Sequence, residues 1–332
     1  MADVTLASTQ VVDPATVRVG FIGLGNLGSK LAGTLLRNGV DLTVRDLAPD
    51  AARVFLDSGA HWADSPRQMA ESVDVVITCL PSPAASAAVL EAPDGVLAGL
   101  RPGQVWMEMS TTDAAEICRL GRRVAERGAH AVDCPVSGGC HRAATGNISI
   151  LAACDRPTFE RVLPLLTVIG RNVLHVGELG TASTLKVMTN YLATANLLAL
   201  TEALTTMAAA GVDLATTYEA IRISSGNSFV HETESQLILN GSRDIGFTID
   251  LVLKDIGLFQ EVADRSGVAL ELNPLMIAIF EDGRRRFGGG ESSDEIVRRL
   301  EDATGLSITA PGFPAELVDS DPEVRGAEVV RH

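Results

Sequence analysis

The feature that most restricts the fold of this chain is a glycine-rich hexapeptide near its start, Gly23-Leu24-Gly25-Asn26-Leu27-Gly28. It stands between a short apolar run, residues 17–22, and a stretch with helical spacing, residues 27–38. In a G-x-G-x-x-G pattern between a strand and a helix, backbone N–H groups at the helix N-terminus can meet a pyrophosphate without obstruction by a Cβ. The hexapeptide therefore predicts a dinucleotide site, with a tight structural turn as the alternative.

The type of dinucleotide is indicated by Asp46, which ends the second predicted strand, 18 positions after Gly28. A carboxylate at this place accepts hydrogen bonds from the adenosine ribose hydroxyls and repels a 2′-phosphate. NAD is therefore expected, and NADP is less favoured. The adjacent Arg45 keeps NADP open, because a guanidinium can accommodate the phosphate.

Short apolar runs alternate with helical stretches from residue 17 to residue 178. This alternation is typical of a doubly wound α/β domain, a Rossmann-type parallel sheet with helices on both faces. Residues 181–210 contain neither Gly nor Pro and predict one long helix, which is followed by helical stretches only. We therefore expect an N-terminal extension (1–16), a dinucleotide-binding domain (17–178), an all-α domain connected by the long helix (179–290) and an acidic tail (291–332). In the tail we expect a short helix over residues 293–304 and an extended or loose remainder.

Charge and composition exclude several other classes of protein. Lys and Arg number 27 against 42 Asp and Glu, a net charge of −15, which is the wrong sign for binding a nucleic-acid backbone. The start of the chain has no signal-peptide pattern, and no 18 apolar residues run unbroken. The five cysteines are scattered without a C-x-x-C pair, so we expect no metal, no membrane span and a cytoplasmic protein.

Four blocks in register carry a resemblance to a known family: GFIGLGNLGSKLA (20–32), DCPVSGG (133–139), GTASTLKVMTN (180–190) and Lys254-Asp255. Their order and spacing resemble those of the β-hydroxyacid dehydrogenases, which include 3-hydroxyisobutyrate dehydrogenase, tartronate semialdehyde reductase and 6-phosphogluconate dehydrogenase. The resemblance covers roughly residues 17–285. It implies an oxidoreductase that uses a nicotinamide cofactor.

The second block contains Ser137-Gly138-Gly139, in which one hydroxyl and two unobstructed N–H groups form a concave anion site. A structural turn is the alternative, because Ser-Gly pairs are common in turns. The resemblance implies that these three residues bind the substrate carboxylate. At the positions that follow, His141-Arg142 replace the small pair usual in the family and extend the anion site or face solvent.

Lys186 falls in the first turns of the long helix on otherwise apolar sequence. The helix dipole and burial both disfavour its charged form, so it should be easier to deprotonate than a surface lysine. Asn190 follows at i+4 on the same helix face. The resemblance implies that Lys186 is the catalytic lysine and Asn190 its supporting residue, whereas a lysine that extends to solvent at a helix end is the alternative.

Further cofactor contacts come from the resemblance. It places Lys254 near the nicotinamide, and it places Leu80, Pro81 and Thr111 where the cofactor touches the family fold. Leu80-Pro81 and Ser110-Thr111 follow predicted strands, which is the ligand side of an open α/β sheet. Lys254 lies among apolar neighbours, so we expect it to have a partner.

The sequence therefore predicts an NAD-preferring dehydrogenase that interconverts a small anionic β-hydroxy acid and its semialdehyde. Lys186 would act as general acid/base. A cofactor-binding module without turnover, and a reductase for a related carbonyl or imine, remain alternatives. The long apolar helix further predicts a homodimer or homotetramer, since one chain cannot cover all of its apolar faces.

Overall fold

The computed structural model describes residues 11–330 and divides into two compact units. Unit 1 comprises the described residues up to Lys186 together with those from Asp319 onward, and unit 2 is Val187–Val318. Chain order therefore places unit 2 as an insertion within unit 1. The predicted boundary near residue 178 differs from the first of these junctions, because the start of the long helix packs with the sheet.

Unit 1 is built on a ten-stranded sheet with the order β10-β9-β8-β6-β5-β4-β1-β2-β3 along its main path, and β7 pairs with β8. Its strands are β1 (Arg18–Ile22), β2 (Asp41–Arg45), β3 (His61–Trp62), β4 (Val75–Thr78), β5 (Val105–Glu108), β6 (His130–Asp133), β7 (Val136–Ser137), β8 (Ser149–Ala153), β9 (Asn172–Gly177) and β10 (Ala327–Glu328). The first six are all parallel, in the order 3-2-1-4-5-6 of a dinucleotide-binding fold. This confirms the predicted doubly wound parallel sheet.

The carboxyl ends of five parallel strands lie in one row across the sheet. Ile22 is paired with Arg45 on one side and with Thr78 on the other. Thr78 pairs in turn with Glu108, and Glu108 with Asp133. The loops that follow these strands therefore start from a common edge, which is where ligands bind in open α/β sheets.

Helices cover both faces of this sheet. They are α1 (Asn26–Arg37), a 3₁₀ turn (Pro49–Ala52) leading into α2 (Arg53–Asp57), α3 (Pro66–Ser72), α4 (Pro83–Glu91), α5 (Val96–Gly99), α6 (Ala114–Ala125), α7 (Gly139–Ala144), α8 (Arg156–Ile169) and the start of α9 (Thr181–Ala209). Phe21 and Leu31 belong to one apolar core, and Trp106 and Leu120 belong to a second. Two cores on one sheet are what a doubly wound arrangement requires.

Unit 2 is helical apart from an isolated bridge between Thr248 and Ser292. It contains the rest of α9, α10 (Leu214–Arg222), α11 (Phe229–Asn240), α12 (Ile249–Arg265), α13 (Leu272–Phe287), a 3₁₀ turn (Ser293–Val297) and α14 (Arg298–Thr304). Leu204, Ile256 and Phe280 are fully buried in its core. The all-α architecture predicted after the sheet domain is therefore confirmed.

Helix α9 is, within residues 11–330, the one helix long and apolar enough by length and composition to cross a bilayer, with a mean hydropathy of 1.2 over 18 residues. A core helix passes the same test, so this criterion alone is weak evidence for a membrane span.

The structure differs from the sequence predictions at several places in unit 1. Residues 139–144 form helix α7, which the sequence did not predict, because glycines at 138 and 139 are typical of a turn. The end of the predicted tail joins the sheet, where Ala327–Glu328 pair with Asn172–Val173. Of the predicted N-terminal extension, residues 1–10 lie outside the described part, and Val12 packs into the core.

Candidate cofactor and substrate sites

The first and last glycines of the hexapeptide have no room for a side chain. Gly23 has a φ of +102°, and a Cβ there would lie 2.2 Å from the carbonyl oxygen of Cys79. A Cβ on Gly28 would lie 2.0 Å from the carbonyl oxygen of Gly23. Both positions therefore require glycine in order to close the turn between β1 and α1.

Gly25 lies in a different environment, because a Cβ on it would meet nothing within 4 Å. It is the N-cap of α1, and no side chain caps the first turn there. The helix N-terminus therefore presents backbone N–H groups and a partial positive charge to open space. A pyrophosphate fits this cradle, so the residues present are suited to a dinucleotide.

The carboxylate of Asp46 is fixed beside this cradle. Its Oδ2 accepts a hydrogen bond from the Leu24 amide at 2.7 Å, and its Oδ1 accepts one from the Ala48 amide at 2.9 Å. An ionised carboxylate has about four lone-pair sites, so these two bonds leave acceptor capacity for ribose hydroxyls.

Arg45 is held by backbone carbonyl groups. Its Nη1 donates to the carbonyl oxygens of Ala63 (3.0 Å) and Asp64 (2.6 Å), and its guanidinium carbon lies 5.7 Å from the centre of the Trp62 ring. These contacts use part of its hydrogen-bonding capacity. They weaken the possibility that Arg45 accommodates a 2′-phosphate.

The loops after β4 and β5 are joined by a buried hydrogen-bond network. The Leu80 amide donates to Ser110 Oγ at 2.7 Å, and the Ser110 amide donates to Glu108 Oε1 at 2.9 Å. Glu108 is fully buried, and burial raises the pKa of its carboxyl group above the usual value. The predicted residues Leu80, Pro81 and Thr111 therefore lie on loops that Ser110 and Glu108 hold at the ligand edge of the sheet.

Asp133, at the end of β6, holds the N-terminus of α9. Its Oδ2 accepts from the Ser183 amide and its Oδ1 from the Ser183 hydroxyl, both at 2.8 Å. Burial raises the pKa of Asp133 to about 7, against the opposing effect of these bonds. Lys186 follows one helical turn later, and only 8% of its surface is exposed. Asp133 therefore fixes the turn that leads to the predicted catalytic lysine.

The predicted carboxylate turn is formed by two glycines that both have positive φ. Gly138 has a φ of +132° and Gly139 a φ of +83°, directly after Ser137 at the end of β7. Such successive conformations turn N–H groups toward one side and favour an anion. A Cβ on Gly138 would lie 3.3 Å from Arg142 Cδ, and one on Gly139 would lie 3.0 Å from the His141 ring. Both side chains therefore flank the turn.

In unit 2, a buried carboxylate links the two remaining predicted residues. Asp255 Oδ2 accepts a short hydrogen bond from Asn190 Nδ2. Its Oδ1 lies 2.7 Å from Lys254 Nζ, an ion pair without directed hydrogen-bond geometry. The Asp255 side chain is 2% exposed and that of Lys254 is 19% exposed. Lys254 therefore has its chain neighbour as a charged partner.

Sequence reasoning gave no role to three carboxyl groups: Glu108, Asp133 and Asp255. Each is an acid within an apolar stretch, which is the signal that could have found it, since a buried acid needs a partner. Among residues 11–330, no group of three or more His, Cys, Asp or Glu could hold a metal ion.

Unit 1 thus carries the predicted cofactor cradle, the strand-end loops, the Ser137–Gly139 turn and Lys186. Unit 2 carries Asn190 and Lys254. The structure contains these residues in the elements described above, and their roles remain predictions.

Two family models match the chain. Residues 18–177 match the NAD-binding domain of 6-phosphogluconate dehydrogenase, and residues 180–300 match the NAD-binding model of NADP-dependent 3-hydroxyisobutyrate dehydrogenase. The two descriptions name NAD and NADP, so they support a nicotinamide cofactor without deciding between them.

Similar proteins extend over most of the chain. The 2-(hydroxymethyl)glutarate dehydrogenase of Eubacterium barkeri is 32% identical over 89% of this chain and 98% of its own length. The NAD-dependent L-serine dehydrogenase of Pseudomonas aeruginosa is 32% identical over 86% and 98%, respectively. A solved structure of 3-hydroxyisobutyrate dehydrogenase from Salmonella typhimurium has a TM-score of 0.79 at 29% identity, and covers 85% of this chain and 99% of its own. Fold and sequence agree, and the chain belongs to the β-hydroxyacid dehydrogenase family of NAD(P)-dependent oxidoreductases.

Proposed function

We propose that this chain is an NAD-preferring dehydrogenase that interconverts a small β-hydroxy acid and its semialdehyde, with Lys186 as general acid/base. The observation that carries this proposal is the double role of Asp133. It starts the segment that leads to the Ser137–Gly139 turn, and it holds the first turn of α9 that leads to Lys186. One buried carboxylate thereby connects the expected substrate-binding turn with the expected base.

The preference for NAD is supported by Asp46 and Arg45. Asp46 is pinned beside the cradle through the Leu24 amide, where its charge opposes a 2′-phosphate. Arg45, which would favour NADP, is directed to the carbonyl groups of residues 63 and 64. One unfavourable charge contact of about 1.4 kcal/mol amounts to a tenfold preference, so kcat/KM with NAD should exceed that with NADP by at least about tenfold.

The substrate carboxylate is assigned to the Ser137–Gly139 turn. The Ser137 hydroxyl and the N–H groups of the two glycines provide neutral donors for it. Binding by neutral donors suits a small anion that must enter and leave at each turnover. The relatives named above act on hydroxymethylglutarate and L-serine, which are carboxylates that carry a hydroxyl, and this substrate class is the one we assign to the chain.

Lys186 would take the proton of the substrate hydroxyl on Nζ during oxidation and return it during reduction. A bound nicotinamide supplies the hydride acceptor that no side chain can provide. The low exposure of Lys186 keeps water away from this proton transfer. Asn190 is one turn further along α9, where it would donate or accept a hydrogen bond at the substrate hydroxyl.

Asp255 would act through its neighbours in unit 2. It orients the Asn190 amide by a hydrogen bond, and it balances the charge of Lys254. We assign Lys254 to the cofactor and regard Asp255 as a positioning residue. No disulfide joins the five cysteines, all of which lie in the described part of the chain, and this fits the reducing cytoplasmic compartment that we expect for this enzyme.

A panel of hydroxy acids and semialdehydes, with NAD and NADP and read by NADH absorbance, tests the proposal. Lys186→Ala should lower kcat by about 10²- to 10⁴-fold for the best substrate and should leave NAD binding intact. Lys30→Ala, an exposed lysine on α1, is the matched control and should keep a normal kcat.

Each outcome of this experiment points to one function. Near-normal turnover of the Lys186 variant would assign the proton transfer to another group. NAD binding without turnover of any compound would favour a cofactor-binding module, and turnover of imines alone would favour an imine reductase. Equal efficiency with NAD and NADP would contradict the role given to Asp46.

A further inference from the structure

The last described residues, 319–330, form a segment that we name the C-terminal strap. It belongs to unit 1, although the residues directly before it, Val187–Val318, form unit 2. The two family models match residues 18–177 and 180–300, so the strap lies outside both of them. Its contacts within unit 1 are therefore a feature of this chain that the family match does not describe.

The far end of the strap is fixed to the sheet. Ala327–Glu328 pair with Asn172–Val173, and the Val329 amide donates to the carbonyl oxygen of Val173 at 2.8 Å. A Cβ on Gly326 would lie 1.9 Å from the carbonyl oxygen of Gly170, so the two backbones are in direct contact. The strap is therefore anchored at this end by its backbone.

The near end of the strap contacts the residues that end α7. Asp319 Oδ2 accepts hydrogen bonds from the Thr145 hydroxyl and from Asn147 Nδ2, the second at 2.8 Å. Asn147 is buried, and its Nδ2 also donates to the carbonyl oxygen of Asp321 at 3.1 Å. The Asn147 amide donates to the carbonyl oxygen of Arg142 at 2.9 Å, which closes the Schellman motif at the end of α7. The same asparagine thus ends α7 through its backbone and binds the strap through its side chain.

Glu323 of the strap joins the end of α7 to the end of α1. Its Oε2 accepts from Arg37 Nη2 at 3.1 Å, and its Oε1 accepts from Asn38 Nδ2 at 2.7 Å. Arg37 Nη2 also donates to the carbonyl oxygen of Ala144, the last residue of α7, at 2.8 Å. A Cβ on Gly146 would lie 3.4 Å from Glu323 Oε1, so this carboxylate lies against the turn that follows α7. Glu323 therefore fixes the arginine that binds the end of α7.

Helix α7 needs such contacts because of its length and its start. It has six residues, too few for a helix that is stable alone, and its first residue is Gly139 of the Ser137–Gly139 turn. Glycine leaves the backbone at the turn free to adopt other conformations. The position of α7 is therefore determined by its last residues, through Arg37 and the strap and through Thr34 Oγ1, which donates to the carbonyl oxygen of Ala143 at 2.9 Å.

We propose that the C-terminal strap is a positioning element of the substrate site, in which Asp319 and Glu323 hold α7 and thereby keep the Ser137–Gly139 turn in the conformation that receives the substrate carboxylate. Both are positioning residues, because they act through Asn147 and Arg37. This inference rests on the proposed function, since it assumes that the turn binds the carboxylate. The carboxylate takes no part in hydride transfer, so it is bound alike in the ground state and the transition state. The strap should therefore act on KM for the hydroxy acid and not on kcat.

Steady-state kinetics with the best hydroxy acid of the panel test the two positioning residues. Asp319→Ala and Glu323→Ala should each raise KM for the hydroxy acid about three- to tenfold, the effect of losing one hydrogen-bonding side chain. The values of kcat and of KM for NAD should stay within twofold. Asp319→Asn should restore the original KM, because the amide oxygen can accept the bonds from Thr145 and Asn147. An equal rise of KM in Asp319→Asn and Asp319→Ala would overturn the hydrogen-bonding role.

Glu328→Ala is the matched control. It removes an acid of the same strap that is also paired with an arginine, Arg156, at 2.6 Å, but at the end that the backbone anchors. Its KM for the hydroxy acid should stay within twofold. A purely structural role of the strap predicts that all of these variants lower the melting temperature and leave every KM unchanged. The Glu323 side chain is 36% exposed, so Glu323→Ala decides the test if Asp319→Ala does not fold. A KM within twofold of the original in each folded alanine variant of Asp319 and Glu323 would overturn the proposal.

A binding measurement separates this inference from the proposed function. Calorimetry gives the Kd of the NAD-loaded protein for isobutyrate, a small carboxylate without a hydroxyl to oxidise. Asp319→Ala and Glu323→Ala should raise this Kd about three- to tenfold, even if no compound of the panel is turned over. A raised Kd together with an original chain that lacks turnover would refute only the proposed reaction. An unchanged Kd in both variants, or an original chain that does not bind isobutyrate, would overturn the role of the strap.

Discussion

Replacing Asp133 by asparagine tests how much the buried carboxylate costs the fold. The substitution conserves both contacts with Ser183, because its amide can donate to Asn Oδ1 and its hydroxyl can accept from Asn Nδ2. It removes the charge and reverses the direction of the hydrogen bond with the Ser183 hydroxyl. The start of α9 should therefore keep its place, and the effect of the charge can be measured separately from that of the hydrogen bonds.

The sign and the size of the effect follow from the raised pKa of Asp133. Burial raises it from 3.8 to about 7, so the folded state binds the proton more tightly than the unfolded chain does. The stability that protonated Asp133 contributes is complete below about pH 4 and is lost as the pH rises through 7. Three pKa units at about 1.4 kcal/mol each give about 4 kcal/mol in total, of which about 2 to 3 kcal/mol falls between pH 5 and pH 8.

The loss of stability can be measured by urea unfolding followed by tryptophan fluorescence. Both tryptophans, Trp62 and Trp106, lie in unit 1, which also contains Asp133. The free energy of unfolding of Asp133→Asn, relative to that of the original chain, should rise by about 2 to 3 kcal/mol from pH 5 to pH 8. Asp57→Asn, at an exposed position, is the control and should show no such trend. A constant difference between Asp133→Asn and the original chain across this range would show that Asp133 does not titrate there, and the reasoning would fail.

Two other predictions concern unit 2 and assembly. Asp255→Ala should lower the free energy of unfolding by about 3 to 5 kcal/mol, because it removes the buried carboxylate that holds both the Lys254 ammonium and the Asn190 amide. The exposed Asp264→Ala on the same helix should change it by less than about 0.5 kcal/mol in the same urea titration. Light scattering at micromolar concentration should show a dimer or tetramer, because only 33% of the most apolar window of α9 is buried within the chain and Leu192 is 51% exposed. Monomer alone would contradict this assembly.

The doubly wound sheet and the helical unit could be predicted because their signals are local. Each parallel strand is a short apolar run between loops, and α9 is an unbroken stretch with Gly211 after its end. The predicted end of α9 differs from the observed one by a single residue. The pattern of apolar residues predicts these elements because a buried strand or helix requires apolar side chains at neighbouring positions of the sequence.

Strand β10 and helix α7 could not be predicted, because the residues that they contact are distant in sequence. Helix α7 is held by Thr34 and Arg37, more than 100 residues earlier, which bind its last carbonyl groups. Strand β10 pairs with residues 172–173, about 155 positions before it. Neither element contains enough residues to show a periodic pattern. The acidic composition of the C-terminal residues therefore suggested a loose tail.

The residue types of the candidate site could be predicted from the sequence. The buried carboxyl groups that hold the elements of the site in place could not. Glycine spacing, Asp46 and Lys186 follow from motifs whose chemistry is local. The role of Asp133 depends on Ser183, 50 residues later, and that of Asp255 depends on Asn190, 65 residues earlier. A motif specifies which side chain is present, whereas its orientation depends on contacts that only the folded chain contains.

Helix α9 contains both proposed catalytic side chains. It runs from Thr181 to Ala209 and carries Lys186 in unit 1 and Asn190 in unit 2. Asp133 fixes the helix start within unit 1, and Asp255 holds Asn190 within unit 2. Each proposed catalytic side chain is therefore positioned by a buried carboxylate of its own unit. Because a buried acid is costly without such bonds, these hydrogen bonds account for the presence of both acids in buried surroundings.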